Sequence, residues 1–249
     1  MCARATLPVL LVYTVFIVLT LFVDLLLYNN ALNIDMKIIG TYKDFKVREV
    51  DGKAVRDELA TEFSEWGSHL TYKFIPKNEL WIEKQDHFEA DDRKPLIAAA
   101  YTEHNALKHG KSKNEAYDDA LNAEEQIRKR QKHLEFPIKV KKLTTIGNLN
   151  LWLVNGELVR DNLDADFAEG GHGMVYPYIP KNEIWLDDAV MNDLENIFVH
   201  EVTEYNLMSD GMKYEDAHNI ANKTEHDARK SAANKQKILK EQIAKLLKI

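Results

Sequence analysis

The chain has 249 residues, of which 45% are apolar and 29% are charged, a balance typical of a globular protein rather than a disordered one. Its 33 Lys and Arg stand against 40 Asp and Glu, and the resulting charge of −7 argues against a general nucleic-acid binder. The single cysteine, Cys2, excludes an intrachain disulfide and a zinc site of four thiolates. Any metal site in this chain must therefore be built from histidine and carboxylate.

The first segment of the chain is a strongly apolar run over residues 7–28 with one charge, Asp24. As a helix this run would measure about 33 Å, at about 1.5 Å per residue, which is enough to cross a bilayer core. We therefore predict a membrane anchor over residues 1–35, with a transmembrane helix at about 7–28. More basic residues follow the run than precede it, so the positive-inside tendency places the body in the cytosol. A chain that started at Met36 would instead be cytoplasmic and would lack the anchor.

The rest of the chain contains an internal repeat. FIPKNELWIE in the first half matches YIPKNEIWLD in the second, and residues 50–83 match 154–187 without gaps at 16 of 34 positions. A second block further along each half also matches, at a slightly different offset. The sequence therefore predicts two homologous domains, a first repeat over 36–138 and a second repeat over 139–249.

Each repeat has the same order of predicted elements, which indicates the α+β class. A small antiparallel β hairpin or sheet comes first, with Asn155-Gly156 as the hairpin turn of the second repeat. The proline-containing segment YIPKNEIWLD is predicted as an edge strand or an irregular approach rather than a central strand, because proline cannot donate to a strand ladder. A helix hairpin follows, predicted in the second repeat at about 190–208 and from Tyr214 onward. The chain ends in a basic amphipathic helix, which either packs on its own domain or lies on an anionic membrane surface.

The first helix of the second repeat carries the motif His-Glu-x-x-Glu, from His200 to Glu204. Residues four apart lie on one face of a helix, so these two side chains are placed to share a metal ion. A helix hairpin would bring His218 back beside them and complete a set of two histidines and one carboxylate. Zinc uses such a set in hydrolytic sites, and another divalent metal such as iron is the alternative. Glu225 and His172 are candidates for additional ligands.

This region resembles the zincin-like metallopeptidases, over residues 180–226 only. In that family a strand precedes a helix that bears the His-Glu-x-x motif, and a later helix supplies a further ligand. The resemblance implies that Glu201 is the general base and that the preceding strand aligns the substrate. The chain departs from the family pattern at Glu204, where zincins normally have histidine, and this departure bears on both the metal and the activity.

The first repeat lacks the same motif. Ala99 and Ala100 stand where the second repeat has its first histidine and its base, and Tyr117 stands where it has its second histidine. The sequence therefore predicts a membrane-anchored metal-dependent hydrolase, metallopeptidase-like, with one site in the second repeat and an unidentified protein or peptide partner. The alternative is a non-catalytic structural or protein-interaction module without metal, in which the shared glutamates, such as Glu103, have structural roles.

Overall fold

The computed structural model describes residues 34–85, 92–129 and 137–247. The described residues from Met36 onward belong to one unit. The fold is α+β, as predicted, with a four-stranded sheet in each repeat followed by helices. The predicted transmembrane helix at 7–28 lies outside the described residues. Among the residues that are described, no helix has both the length and the apolar character to cross a bilayer, which contradicts the predicted single-pass membrane localisation.

The described part of the first repeat consists of strands and helices in this chain order: β1 (Met36–Tyr42), β2 (Phe45–Val50), α1 (Gly52–Glu58), β3 (Trp66–Ser68), β4 (Glu79–Glu83), α2 (Arg93–Lys108) and α3 (Lys113–Arg128). The sheet order is β1-β2-β4-β3. The β1–β2 and β3–β4 pairs are antiparallel, whereas β2 and β4 run parallel. The parallel pair requires a crossover, and α1 and β3 lie within it.

The second repeat has the same order of elements and one more helix: β5 (Lys139–Ile146), β6 (Leu149–Val154), α4 (Gly156–Asn162), β7 (Gly170–His172), β8 (Glu183–Asp187), a 3₁₀ turn (Asp188–Val190), α5 (Leu194–Ser209), α6 (Tyr214–Arg229) and α7 (Ala232–Leu247). Its sheet order, β5-β6-β8-β7, repeats that of the first sheet, with β6 and β8 parallel. The structure therefore bears out two similar α+β halves.

The Asn155-Gly156 pair begins a helix, so the predicted hairpin turn at this position is wrong. The Asn155 side chain accepts a hydrogen bond from the backbone N–H of Leu158 at 2.8 Å, which is the geometry of a helix N-cap. Gly156 is required for a different reason, since a Cβ there would lie 1.9 Å from a carboxylate oxygen of Asp187. Asp51 caps α1 of the first repeat in the same way. The hairpin of each sheet lies one strand earlier, between β1 and β2 and between β5 and β6.

The strand in YIPKNEIWLD is an inner strand, so the predicted edge position is wrong, whereas the prolines lie in an irregular approach to the strand, which was the other alternative. β8 lies between β6 and β7, and its prolines precede it. The carbonyl of Pro180 accepts the N–H of Glu183 at 2.9 Å, so this proline belongs to a turn that ends where the strand begins. Proline is thus kept out of the ladder, and the edge position is taken by β7, which is three residues long.

The helices of the second repeat form a hairpin and then turn back. Gly211, at a φ of +94°, lies in the left-handed region and allows the chain to reverse between α5 and α6. α6 ends at Arg229 rather than running on, and α7 packs against its own repeat. Leu246 contacts the apolar core, and the side chain of Asn206 donates to both the carbonyl and the side chain of Gln242 at 3.0 Å.

Two buried arginines join the repeats reciprocally. Arg56 of α1 contacts the carboxyl group of Glu169 in the second repeat, and Arg160 of α4 contacts that of Glu65 in the first at 3.2 Å. Each arginine is 2% exposed. Buried charges at this depth require paired partners, so these contacts fix how the two halves face each other.

Candidate metal centre

The helix hairpin brings the three predicted ligands to one point. Nδ1 of His218 lies 2.8 Å from Oε2 of Glu204 and 3.2 Å from Nε2 of His200. Nε2 of His200 lies 3.6 Å from the same carboxylate oxygen. Tetrahedral zinc, with ligand bonds of about 2.0–2.1 Å, has its donor atoms about 3.3 Å apart. The three measured separations lie around this value, so the donor atoms have the spacing of three corners of such a site.

Local sequence explains how the ligands come together. His200 and Glu204 are one turn apart on α5, and α6 returns against it after the turn. Ala217 and Ala221 on α6 are fully buried. Small side chains at these positions let the helices approach closely, and this brings His218 against α5.

Glu225, a candidate for an additional ligand, lies behind His200. It contacts Nδ1 of that ring, whereas the other ligands lie at Nε2. Its Oε2 atom is 3.0 Å from Nδ1 of His200, and its Oε1 atom accepts from Nη2 of Arg229 at 2.6 Å. When the ring is neutral, as a metal ligand must be, a carboxylate at Nδ1 keeps the proton on that nitrogen and leaves the lone pair of Nε2 facing the other ligands. Metal-binding histidines have this partner almost invariably.

His172, the other candidate for an additional ligand, contacts the opposite oxygen of Glu204. Its Nε2 atom is 3.0 Å from Oε1, close but poorly aligned for a hydrogen bond, and the side chain is fully buried. The backbone N–H of Met174 donates to Nδ1 of the same ring at 3.3 Å, which places the ring proton on Nε2. In that tautomer His172 turns an N–H and not a lone pair towards Glu204, so it lies beside the carboxylate and does not join the triangle of donor atoms.

Burial and neighbouring charges set the protonation of this cluster. Burial would raise the pKa of Glu204, but the three imidazoles beside its carboxylate outweigh burial and hold that pKa well below the usual range. Burial would lower the pKa of His200, but the neighbouring carboxylates of Glu204 and Glu225 raise it to about 10. The metal-free cluster is therefore an ion pair of imidazolium and carboxylate.

Glu201, the predicted general base, lies next to the ligands on α5 and is 8% exposed. A Cβ on Gly170 of β7 would lie 3.2 Å from its Oε1 atom, so the edge strand packs directly on this carboxylate. Burial raises the pKa of Glu201 to about 7. His172, Glu201 and Glu204 also have ligand atoms within 4.8 Å of one another, so the base and the ligands form one continuous cluster.

A cavity of about 420 Å³ opens at the cluster and is lined by both repeats. This volume lies within the range of small-molecule sites. Aromatic rings and seven carboxylates line it, and the described lining residues include no lysine or arginine. The carboxylates are Glu62, Glu103, Asp166, Glu169, Glu201, Glu204 and Glu225.

The equivalent positions of the first repeat have no such cluster among the described residues. Ala99 and Ala100 are fully buried in the apolar core. Tyr117 reaches across the cavity and donates its hydroxyl proton to Asp166 of the second repeat at 2.6 Å. Glu103 accepts a hydrogen bond from the hydroxyl of Thr71 at 2.7 Å. Tyr117 and Glu103 are thus part of the first repeat's share of the cavity wall.

Sequence reasoning missed the contacts that reach the site from the first repeat. The spacing of four residues between Glu225 and Arg229 on α6 is that of a helical ion pair, and the structure has this pair at 2.6 Å. Sequence reasoning did not foresee that Asp57, 172 positions earlier, also accepts from Arg229. The only available signal was the Arg-Asp dipeptide that both repeats share.

Comparison with models of protein families, with curated proteins and with solved structures finds no match to this chain. A functional argument must therefore start from the chemistry of the site. That chemistry is defined by two imidazoles, one carboxylate and a buried carboxylate beside them.

Proposed function

We propose that this protein is a metal-dependent hydrolase whose site lies in the second repeat. His200, Glu204 and His218 hold the metal, and zinc is the first choice because two histidines and a glutamate also hold it in known hydrolytic sites. Iron is the alternative, since two histidines and a carboxylate also bind ferrous iron. The observation that carries the proposal is the spacing of the three donor atoms, at 2.8, 3.2 and 3.6 Å.

The surrounding residues have separate tasks in such a reaction. A zinc ion held by these three residues would polarise a carbonyl and lower the pKa of a bound water molecule to about 7. Glu201 would accept the proton of that water, the role implied by the zincin-like motif. Glu225 and His172 hold His200 and Glu204 in the orientation that ligands need.

The charge of the cavity narrows the class of substrate. Carboxylates line it and no described lysine or arginine does, so the lining offers a phosphate ester or another anion no basic side chain of this kind to bind. A neutral amide or a peptide with basic side chains fits this lining better. This preference supports an amide-hydrolysing, metallopeptidase-like activity over a phosphatase.

Metal analysis of the full chain tests the proposal. We expect one zinc or iron ion per wild-type chain and a loss of stoichiometric metal in His200→Ala and in His218→Ala. His226→Ala is the matched control, because this exposed histidine of α6 contacts Thr61 and not the cluster. A wild-type chain without bound metal, or a control that loses metal equally, would favour the non-catalytic interaction module instead.

A further inference from the structure

A continuous series of contacts joins the first repeat to a ligand of the candidate metal centre. Oδ1 of Asp57, on α1, accepts from Nη1 of Arg229 at 2.7 Å. Nη2 of the same arginine donates to Oε1 of Glu225 at 2.6 Å, and Oε2 of Glu225 is 3.0 Å from Nδ1 of His200. Three contacts therefore separate a residue of the first repeat from the ring of a metal ligand in the second.

Arg229 is held in place by carboxylates on more than one side. Its side chain is 3% exposed, and its two terminal nitrogens also donate to Asp193 at 2.8 and 3.0 Å. Asp193 is itself fully buried and accepts from Arg56 of the first repeat at 2.9 Å. These carboxylates hold the planar guanidinium group of Arg229 in one orientation. The guanidinium in turn holds the carboxylate of Glu225 through its hydrogen bonds.

We propose that the first repeat is a positioning element for the metal site, with Asp57 as its positioning residue. The proposal rests on the metal centre proposed above. Outer partners of a metal-binding histidine orient its ring, and their loss typically costs 10- to 100-fold in metal affinity. Asp57 lies two contacts beyond Glu225, which is the direct partner of His200, so we expect an effect at or just below the lower end of this range, about 5- to 10-fold. In this role the first repeat contributes to the metal site through the contact of Asp57 with Arg229, although the proposed ligands belong to the second repeat.

The duplication provides an internal control for this idea. Asp161 occupies the position of Asp57 in the second repeat and accepts from Arg128 at 2.9 Å. Arg128 in turn donates to Glu124 at 2.7 Å, as Arg229 does to Glu225. The series ends there, because Ala99 stands at the position of His200. Removing either aspartate charge therefore alters a similar contact between the repeats, but only one of the two series ends at a metal ligand.

Zinc affinity of the full chain, measured by competition with a chromogenic chelator, tests the proposal on three variants. We expect Asp57→Asn to weaken zinc binding about 5- to 10-fold, Asp161→Asn to bind as the wild type does, and Asp57→Glu to recover most of the affinity. The visible absorption of the cobalt-substituted chain gives a second measurement, and only Asp57→Asn should change its band positions. Thermal unfolding confirms that the variants are folded.

Two results would overturn the positioning role. The first is wild-type affinity in Asp57→Asn, and the second is an equal loss in Asp161→Asn, which would indicate a general effect of the interface between the repeats. Both results require a wild-type chain that binds zinc. A wild-type chain that binds none contradicts the proposed function itself, so the two failures are distinguishable.

Discussion

His200 is the residue on which the candidate site depends most. Its two ring nitrogens face different carboxylates, Glu225 at 3.0 Å and Glu204 at 3.6 Å. Nδ1 is thereby held by Glu225, and Nε2 is the nitrogen that can bind a metal. The sequence predicted that His200 and Glu204 face the same site, because residues four apart on a helix lie on one face. It could not separate ligand from partner for Glu225, since that distinction depends on how α6 is rotated against α5.

Glu201 provides a prediction that separates chemistry from metal binding. We expect Glu201→Gln to keep the metal content of the wild type and to lower hydrolysis by at least about 100-fold, because general base catalysis contributes about 10²–10⁴ in rate. The measurement is cleavage of a fluorogenic peptide library by the zinc-loaded chain. Full activity in this variant would exclude Glu201 as the base.

Glu65, away from the metal centre, predicts a pH dependence of stability. Burial raises its pKa to about 8, although Arg160 opposes the shift, and the side chain is 2% exposed. Between about pH 4.5 and 8 the folded protein keeps a proton that the unfolded chain has lost, so this group lowers the free energy of unfolding as the pH rises. We expect Glu65→Gln to remove this contribution and to gain stability relative to the wild type from pH 5 to pH 8. Urea unfolding at both pH values measures it, and a constant difference would contradict it.

At the scale of the elements, the helix hairpin was predictable and the sheet was less so. The turn at Gly211 and the small residues of α6 are local signals in the sequence. The turn brings α6 back against α5, so that His218 contacts Glu204 and His200. Asn155-Gly156 has the composition of a hairpin turn, yet it caps α4, because Asp187 of β8 needs the space that a glycine leaves. Only the tertiary fold, which brings Asp187 from 31 positions away, decides between these two uses.

Gly156 accordingly predicts a stability effect. Its Cβ would lie 1.9 Å from Asp187, so Gly156→Ala must displace a buried carboxylate that pairs with Arg160. We expect a loss of about 1–3 kcal/mol in the free energy of unfolding. Gly40→Ala on β1 is the control, since a Cβ there meets no described atom within 4 Å. Similar stabilities for the two variants in urea would contradict this account of the glycine.

At the scale of the whole molecule, the duplication decides the architecture. The matching blocks predicted two similar halves of the α+β class, and the structure bears out that coarse statement. Sequence could not predict that the halves share one cavity, because its walls and the reciprocal contacts of Arg56 and Arg160 join residues that are far apart in the chain. The half that lacks the motif also contributes residues to the cavity wall, so the candidate site is lined by both copies.

The central claim is that two imidazoles and one carboxylate from α5 and α6 hold a single metal ion. Zinc-edge X-ray absorption of the full chain, loaded with one equivalent of zinc, tests it most directly. We predict a shell of nitrogen and oxygen atoms at about 2.0–2.1 Å with the outer-shell signature of two imidazoles, and the loss of one imidazole in His218→Ala. No stoichiometric zinc, or an identical spectrum in the His218→Ala variant, would contradict the account.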